Sequence, residues 1–332
     1  MNLFLLNILL FLAGFVFLTG GAEFLVRGAS RFAVRLNVPL VVIGLTIVAF
    51  GTSLPEMLVS LIANLEGGST ADISIGNVVG SNIANLALIL GVIAFLRPVS
   101  VERKLLRREY PLMLAVSIGF WVMAWDGTIS RLEGALLFLG LIGFTVYSYT
   151  SSRTLPATEQ AEALEYVEDV LEANKGVTAS ALFRDLGFVV IGIIGLLMGA
   201  NWLVDSATFM ARYFGISELV IGLTVVALGT SLPELATSVV AILRKEGDIA
   251  LGNLVGSNLF NILAIVGVTA LVKPLPAPLA MRIFDFPIML VISLLPLILV
   301  LPKPHEMKRW HGALMLLLYL GYNGWVLVQG SF

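Results

Sequence analysis

The sequence predicts an all-α polytopic membrane protein with ten transmembrane helices, arranged as two inverted five-helix repeats. Composition is the first of three observations behind this. Of the 332 residues, 58% are hydrophobic and 13% charged, against about 25% charged in a soluble domain. Mean hydropathy is +0.97. A water-soluble chain has no way to hide so much apolar surface, whereas lipid accepts it. Second, apolar runs near the bilayer-crossing length of about 20 residues recur along the chain. Third, two long motifs each occur twice.

The runs lie at 3–26, 39–63, 73–95, 109–125, 132–150, 185–207, 218–242, 249–271, 284–301 and 311–328. They are read as helices because open sheet edges cannot face lipid. The first lacks a basic leading region and continues past residue 20, so it reads as a span rather than a cleaved signal peptide. With the N-terminus outside, the connectors 27–38, 96–108, 151–184, 243–248 and 302–310 hold 16 of the 20 Lys and Arg residues. Arg131, Arg212, Lys273 and Arg282 fall on the other side. The positive-inside rule therefore places both termini outside a cell membrane that the chain crosses many times. The connector 151–184 carries Glu159, Glu162, Glu165, Glu168, Asp169 and Glu172, with Leu164, Val167 and Leu171 at helical spacing. It is expected to be an acidic cytosolic linker with a short amphipathic helix. It joins a first five-helix repeat, 1–150, to an inverted second one, 185–332.

Several function classes drop out. A net charge of -2 offers no footprint for nucleic acid. The absence of cysteine removes disulfides, thiolate metal sites and cysteine nucleophiles. His305 and His311 fall in a basic connector and read as solvated or interfacial. No P-loop, EF-hand, cofactor motif or nucleophile–base pattern occurs, so neither an enzyme nor a prosthetic group is expected. The sequence says nothing of oligomeric state.

The repeat is specific. VVIGLTIVAFGTSLPE at 41–56 matches LVIGLTVVALGTSLPE at 219–234 in 13 of 16 positions, at an offset of 178. GNVVGSNIANLALILG at 76–91 matches GNLVGSNLFNILAIVG at 252–267 in 9 of 16, at an offset of 176. Five spans per half, an odd number, turns the second copy over in the membrane. Inverted repeats with helices interrupted at matching places point to a secondary transporter with a site near the midplane. Identity concentrates on polar and helix-breaking residues, where packing alone would favour apolar ones.

Glu56 and Glu234 each follow a proline within an apolar span, and an intramembrane carboxylate must face a partner or a watery cavity. Pro55 and Pro233 are expected to free carbonyls near Ala49, Phe50 and Gly51, and near Ala227, Leu228 and Gly229. Thr52, Ser53 and Glu56 are expected on one helix face, as are Thr230, Ser231 and Glu234. Asn77, Ser81 and Asn85 recur at i, i+4 and i+8, with Asn253, Ser257 and Asn261 as counterparts. Gly76, Gly80, Gly252 and Gly256 read as surfaces for close helix approach rather than ion contact. Asn77, Asn82, Asn253 and Asn258 remain open between ion contact and holding helices together. Carboxylate, hydroxyl, amide and carbonyl oxygens suit hard cations such as calcium or sodium, and not copper or zinc. Two carboxylates neutralise one divalent ion or two monovalent ones.

At these motifs the chain resembles the calcium/cation antiporter superfamily, in particular its prokaryotic sodium/calcium exchangers. The resemblance covers both halves. It implies ten helices around a central four-helix core and alternating access by sliding of the first and sixth spans. It further implies ion ligands at Ala49 (carbonyl), Thr52, Ser53, Glu56, Ser81 and Asn85. In the second half it implies Ala227 (carbonyl), Thr230, Ser231, Glu234, Ser257 and Asn261. Asn261 departs from the family, which often has Asp there, and so bears on cation preference. Exchange of calcium for sodium is the expected function. Proton/calcium exchange is the alternative, and a cation channel a more distant one. The expected partners are calcium, sodium, protons in the alternative, and the lipid bilayer.

Overall fold

The computed structural model describes residues 3–36, 38–67, 71–152, 179–215 and 227–329. Residues 153–178 of the expected acidic linker, with its amphipathic helix, lie outside them. The described residues are almost entirely helical. α1 (Leu3–Leu36) is followed by α2 (Leu40–Thr52) and α3 (Leu54–Glu66), which meet at a 47° bend. Then come α4 (Asp72–Leu96), α5 (Tyr110–Met123) and α6 (Arg131–Ser152). The second half continues with α7 (Ala179–Tyr213), α8 (Ala227–Thr230), α9 (Leu232–Leu243) and α10 (Gly247–Val272). α11 (Met281–Val300) and α12 (Arg309–Gln329) complete it. Among the described residues, six helices are long and apolar enough to cross a membrane, and the bent α2–α3 pair makes a seventh. The chain is a multi-pass helical membrane protein.

Two helices outrun their expected spans. α1 has 34 residues and α7 has 35, each about 50 Å long at 1.5 Å per residue and so longer than the roughly 30 Å apolar thickness of a bilayer. Arg27, Arg31 and Arg35, expected in a connector, are therefore on α1. Arg35 is buried and pairs with the equally buried Asp185 of α7. α1 and α7 pack closely along their length. A Cβ on Gly21 would meet the backbone of Gly192 and Leu196 at 2.8 and 2.5 Å, so only glycine permits this approach.

Beneath this pair, α2 lies against α10. A Cβ on Gly44 would stand 2.8 Å from the Ile249 carbonyl, and one on Gly256 2.7 Å from Leu45 Cα. Gly252 and Gly256 thus have the packing role expected of them, while at Gly76 an added Cβ would meet the flexible end of Met281. Two short antiparallel pairings clasp the halves at the two ends of α5. β1 (Val99–Ser100) pairs with β4 (Glu306–Met307), and β2 (Thr128–Ile129) with β3 (Leu275–Pro276). A tie also joins α1 to the end of α9. Glu23 takes a hydrogen bond from Arg244 Nε at 2.7 Å and pairs with Arg27 at 2.7 Å. One turn further along, the Ser30 hydroxyl donates to Glu246.

Candidate functional site

Each G-T-S-L-P-E segment breaks its helix at the serine. Ser53 has φ -86° and ψ 8°, Ser231 has φ -89° and ψ 5°, and a new helix starts at the following Leu-Pro. Proline is at home there, since the first helical turn needs no N–H from it. The break places Glu56 and Glu234 in the first turns of α3 and α9, where helix N-termini favour negative charge. It also corrects one expectation: Thr52, Ser53 and Glu56 do not share one continuous helix face. Thr52 ends α2, Ser53 is the joint, and Glu56 belongs to α3. A second correction concerns the carbonyls. Ala49 O accepts from the Ser53 N–H at 3.0 Å and the Thr52 hydroxyl at 3.3 Å, so it is not freed. Gly51 is the residue whose i+4 donor position falls on Pro55, which has no N–H.

Glu56 and Glu234 are each 1% exposed. The Ser53 hydroxyl donates to Glu234 Oε1 at 3.1 Å, joining the two motifs across the halves. Among the described residues no Lys, Arg or His pairs with either carboxylate, and Oε2 of each lacks a protein partner. So do Asn85 Oδ1, Asn261 Oδ1, Ser231 Oγ and Ser257 Oγ, all on buried residues. Leaving a buried polar atom unsatisfied costs about 1–3 kcal/mol, which is severe for six atoms within the repeated motifs. Thr52 and Ser81 are buried beside them, and Thr230, at the end of α8, is half-buried. Ala227 opens α8. No group of three or more His, Cys, Asp or Glu occurs among the described residues. The donors are two charged and many neutral oxygens, a set that suits a hard cation.

The remaining asparagines hold helices together. Asn77 Nδ2 donates to Ser60 Oγ at 2.9 Å and to the Glu56 carbonyl at 3.1 Å, and Asn253 Nδ2 donates to Ser238 Oγ at 3.2 Å. Asn253 Oδ1 lies 3.2 Å from the Thr52 hydroxyl. Asn85 Nδ2 donates to Asn258 Oδ1 at 3.3 Å, and Asn261 Nδ2 to Asn82 Oδ1 at 2.9 Å. The amides of Asn82 and Asn258 in turn point at sulfur, Met289 Sδ at 3.8 Å and Met113 Sδ at 3.5 Å. Ser60, Ser238, Met113 and Met289 were not among the expected site residues. A longer alignment signals all four: Ser60 and Ser238 match at the 178 offset, and PLM at 111–113 matches PIM at 287–289 at 176.

Comparison with known proteins identifies the family. The family model described as sodium/calcium exchanger protein matches residues 6–150 and 185–328. The sodium/calcium exchanger MaX1 of Methanosarcina acetivorans is 35% identical over 95% of this chain and 97% of its own length. The putative antiporter CaxA of Alkalimonas amylolytica is 37% identical over 94% of this chain and 96% of its own length. The solved structure of the sodium-calcium exchanger NCX_Mj, soaked without sodium and calcium, superposes with a TM-score of 0.82 at 33% identity, covering 97% of this chain and 99% of that one.

Proposed function

Because the chain belongs to the sodium/calcium exchanger protein family, and is on that ground a cation/calcium antiporter and not an enzyme, we propose that it exchanges calcium for sodium by alternating access. The observation that carries this reading is the pair of buried carboxylates, Glu56 and Glu234, without a cationic partner among the described residues and ringed by unsatisfied oxygens. One calcium ion or two sodium ions balance their charge, so the same pocket accepts either load.

The ion ligands in this reading are Thr52, Ser53, Glu56, Ser81 and Asn85 from the first half. Thr230, Ser231, Glu234, Ser257 and Asn261 come from the second, with the carbonyls of Ala49 and Ala227. Ala49 O joins only if the Thr52 hydroxyl turns away from it. The fold in this reading is ten spans in two inverted five-helix repeats, 1–150 and 185–332, joined by a cytosolic linker at 151–184, with both termini outside. Support comes from pairings that recur when the halves are exchanged. β1–β4 corresponds to β3–β2, the Asn85–Asn258 bond to Asn261–Asn82, and Asn77–Ser60 to Asn253–Ser238. α1 and α7, held by a glycine-lined contact against a core of α2–α3, α4, α8–α9 and α10, are the elements free to slide.

Calcium uptake into proteoliposomes under imposed gradients tests the coupling. An outward sodium gradient is expected to drive uptake, and a pH gradient in sodium-free buffer to drive little. Robust uptake under the pH gradient alone would make this a proton/calcium exchanger.

A further inference from the structure

An amide side chain keeps its shape when flipped, but the flip exchanges an oxygen that attracts a cation for an NH2 group that repels it. Asn85 and Asn261 can serve a cation only if something fixes their orientation. Within the ion site proposed above, on which this inference rests, we propose that Met113 and Met289 are positioning residues. Acting through Asn258 and Asn82, they turn the carbonyl oxygens of Asn85 and Asn261 toward the ion.

The argument follows the protons. A thioether sulfur accepts hydrogen bonds and has no proton to give. Asn258 therefore turns its NH2 to Met113 Sδ, and Asn82 turns its NH2 to Met289 Sδ. That leaves Asn258 Oδ1 and Asn82 Oδ1 facing the other way, as acceptors. Each then requires an NH2 from its neighbour and receives it, from Asn85 and Asn261 respectively. With their own NH2 groups engaged, Asn85 and Asn261 present Oδ1 on the opposite side, and both of those oxygens lack a protein partner.

All six side chains are 2% exposed or less, so in this conformation bulk water does not compete for the sulfurs or the amides. The two chains of contacts are copies: 82, 85 and 113 become 258, 261 and 289 at the single offset of 176. Each crosses between the halves twice, running from Met113 through Asn258 to Asn85, and from Met289 through Asn82 to Asn261. The methionine turns are pinned in the same way in both copies. Ser117 Oγ donates to the Met113 carbonyl at 2.8 Å, and Ser293 Oγ to the Met289 carbonyl at 2.7 Å. Methionine usually serves as an adaptable core filler, a role that leucine of similar volume also performs. Filling space does not require sulfur against an amide nitrogen at two related places.

The test compares Met113→Leu and Met289→Leu with the parent in sodium-driven calcium uptake across a calcium titration. Each substitution leaves a buried NH2 without an acceptor, and the expected result is a rise of about tenfold in half-saturating calcium. The maximal rate should change far less. Met315→Leu, at another fully buried methionine, serves as the packing control and should leave half-saturation unchanged. Met113→Gln and Met289→Gln restore an oxygen acceptor and are expected to bring half-saturation back toward the parent. Folded Leu variants that overlay the parent would overturn the proposal, as would Gln variants as impaired as Leu. If the Leu variants do not fold, the Gln variants decide alone: parental calcium dependence supports the relay, and a raised half-saturation overturns it. Glu56→Gln, run alongside, separates the two readings. Normal flux in Glu56→Gln removes the ion site itself, whereas a dead Glu56→Gln with unaffected methionine variants removes only the relay.

Discussion

Replacing Glu56 or Glu234 by glutamine changes the charge of the site and almost nothing else. Glutamine has the same length and shape, and at position 234 its Oε1 still accepts the bond now given by Ser53. α3 and α9 keep their prolines and their packing. What is lost is one of two negative charges on residues 1% exposed, with no cationic side chain beside them among the described residues. A unit charge pair about 4 Å apart at an effective dielectric of about 20 is worth about 4 kcal/mol, hence about 8 for a divalent ion. Most of that replaces hydration the ion has given up. If a third survives as net binding, about 3 kcal/mol, calcium affinity falls by a factor of about 100 for each substitution. Sodium, with half the charge, should lose about a tenfold factor on the same arithmetic. The assay is sodium-driven calcium uptake in proteoliposomes, paired with thermal unfolding in detergent with and without calcium. The parent should be stabilised by calcium because only the folded state binds it, and both Gln variants should lose that increment while keeping their calcium-free melting temperature. A folded variant with calcium flux within about threefold of the parent would refute the reasoning, since no plausible share of the Coulomb term is that small.

Four further outcomes are expected. Asn261→Asp brings a carboxylate oxygen against Asn82 Oδ1, itself an acceptor, so it either takes up a proton to donate or breaks that contact; calcium flux should become more pH-dependent than in the parent between about pH 6 and 9. Overlapping pH profiles would mean that position 261 does not face the ion. Replacing 153–178, the part of the expected linker between α6 and α7, with a neutral segment of equal reach should leave basal exchange intact, because salt screens its charges within about 10 Å, and flux assays on the replaced chain check it. Gly21→Leu pushes a side chain into the α7 backbone at Gly192 and Leu196, and should slow exchange or lower the melting temperature. Asp185→Asn removes the buried carboxylate that faces the Arg35 guanidinium and should destabilise the fold, read by thermal unfolding against Asp205→Asn as a comparison.

Much of the candidate site is legible because the two halves spell it twice. Glu56, Glu234, Asn85 and Asn261 stand out as polar letters in apolar runs, and burial at 1% agrees with that reading. Where the helices break was less legible. Proline suggests a kink one turn before itself, yet the chain stops at Ser53 and Ser231 and uses the proline to begin the next helix. The ends of α1 and α7 were misplaced for a different reason. Hydropathy marks where lipid begins, not where helix ends, so a helix that continues past the bilayer with Arg31 and Arg35 reads as a connector. The methionine contacts were invisible because methionine in an apolar run carries no sign of what its sulfur touches. Pairing between halves is a property of three dimensions: nothing local to Asn82 says that it will meet Asn261.

Among the described residues, the tie between α1 and the end of α9 has no counterpart in the other half. At the same offset, Glu23, Arg27 and Ser30 become Asn201, Asp205 and Thr208, and Arg244 becomes Glu66. Asn201, in the place of the bridging Glu23, carries no charge with which to hold Asp205 and Glu66 together. A perfectly two-fold carrier would divide its time equally between facing one solution and facing the other. In the alternating-access reading proposed above, a clasp on one face and not the other is expected to make the two resting populations unequal by whatever the clasp is worth. A ligand arriving from the less populated face meets fewer receptive molecules, and its apparent dissociation constant rises in inverse proportion to that fraction. Gradients alone still set the direction of net flow. The same pocket is nevertheless expected to show different half-saturation to calcium presented from the two sides of the membrane.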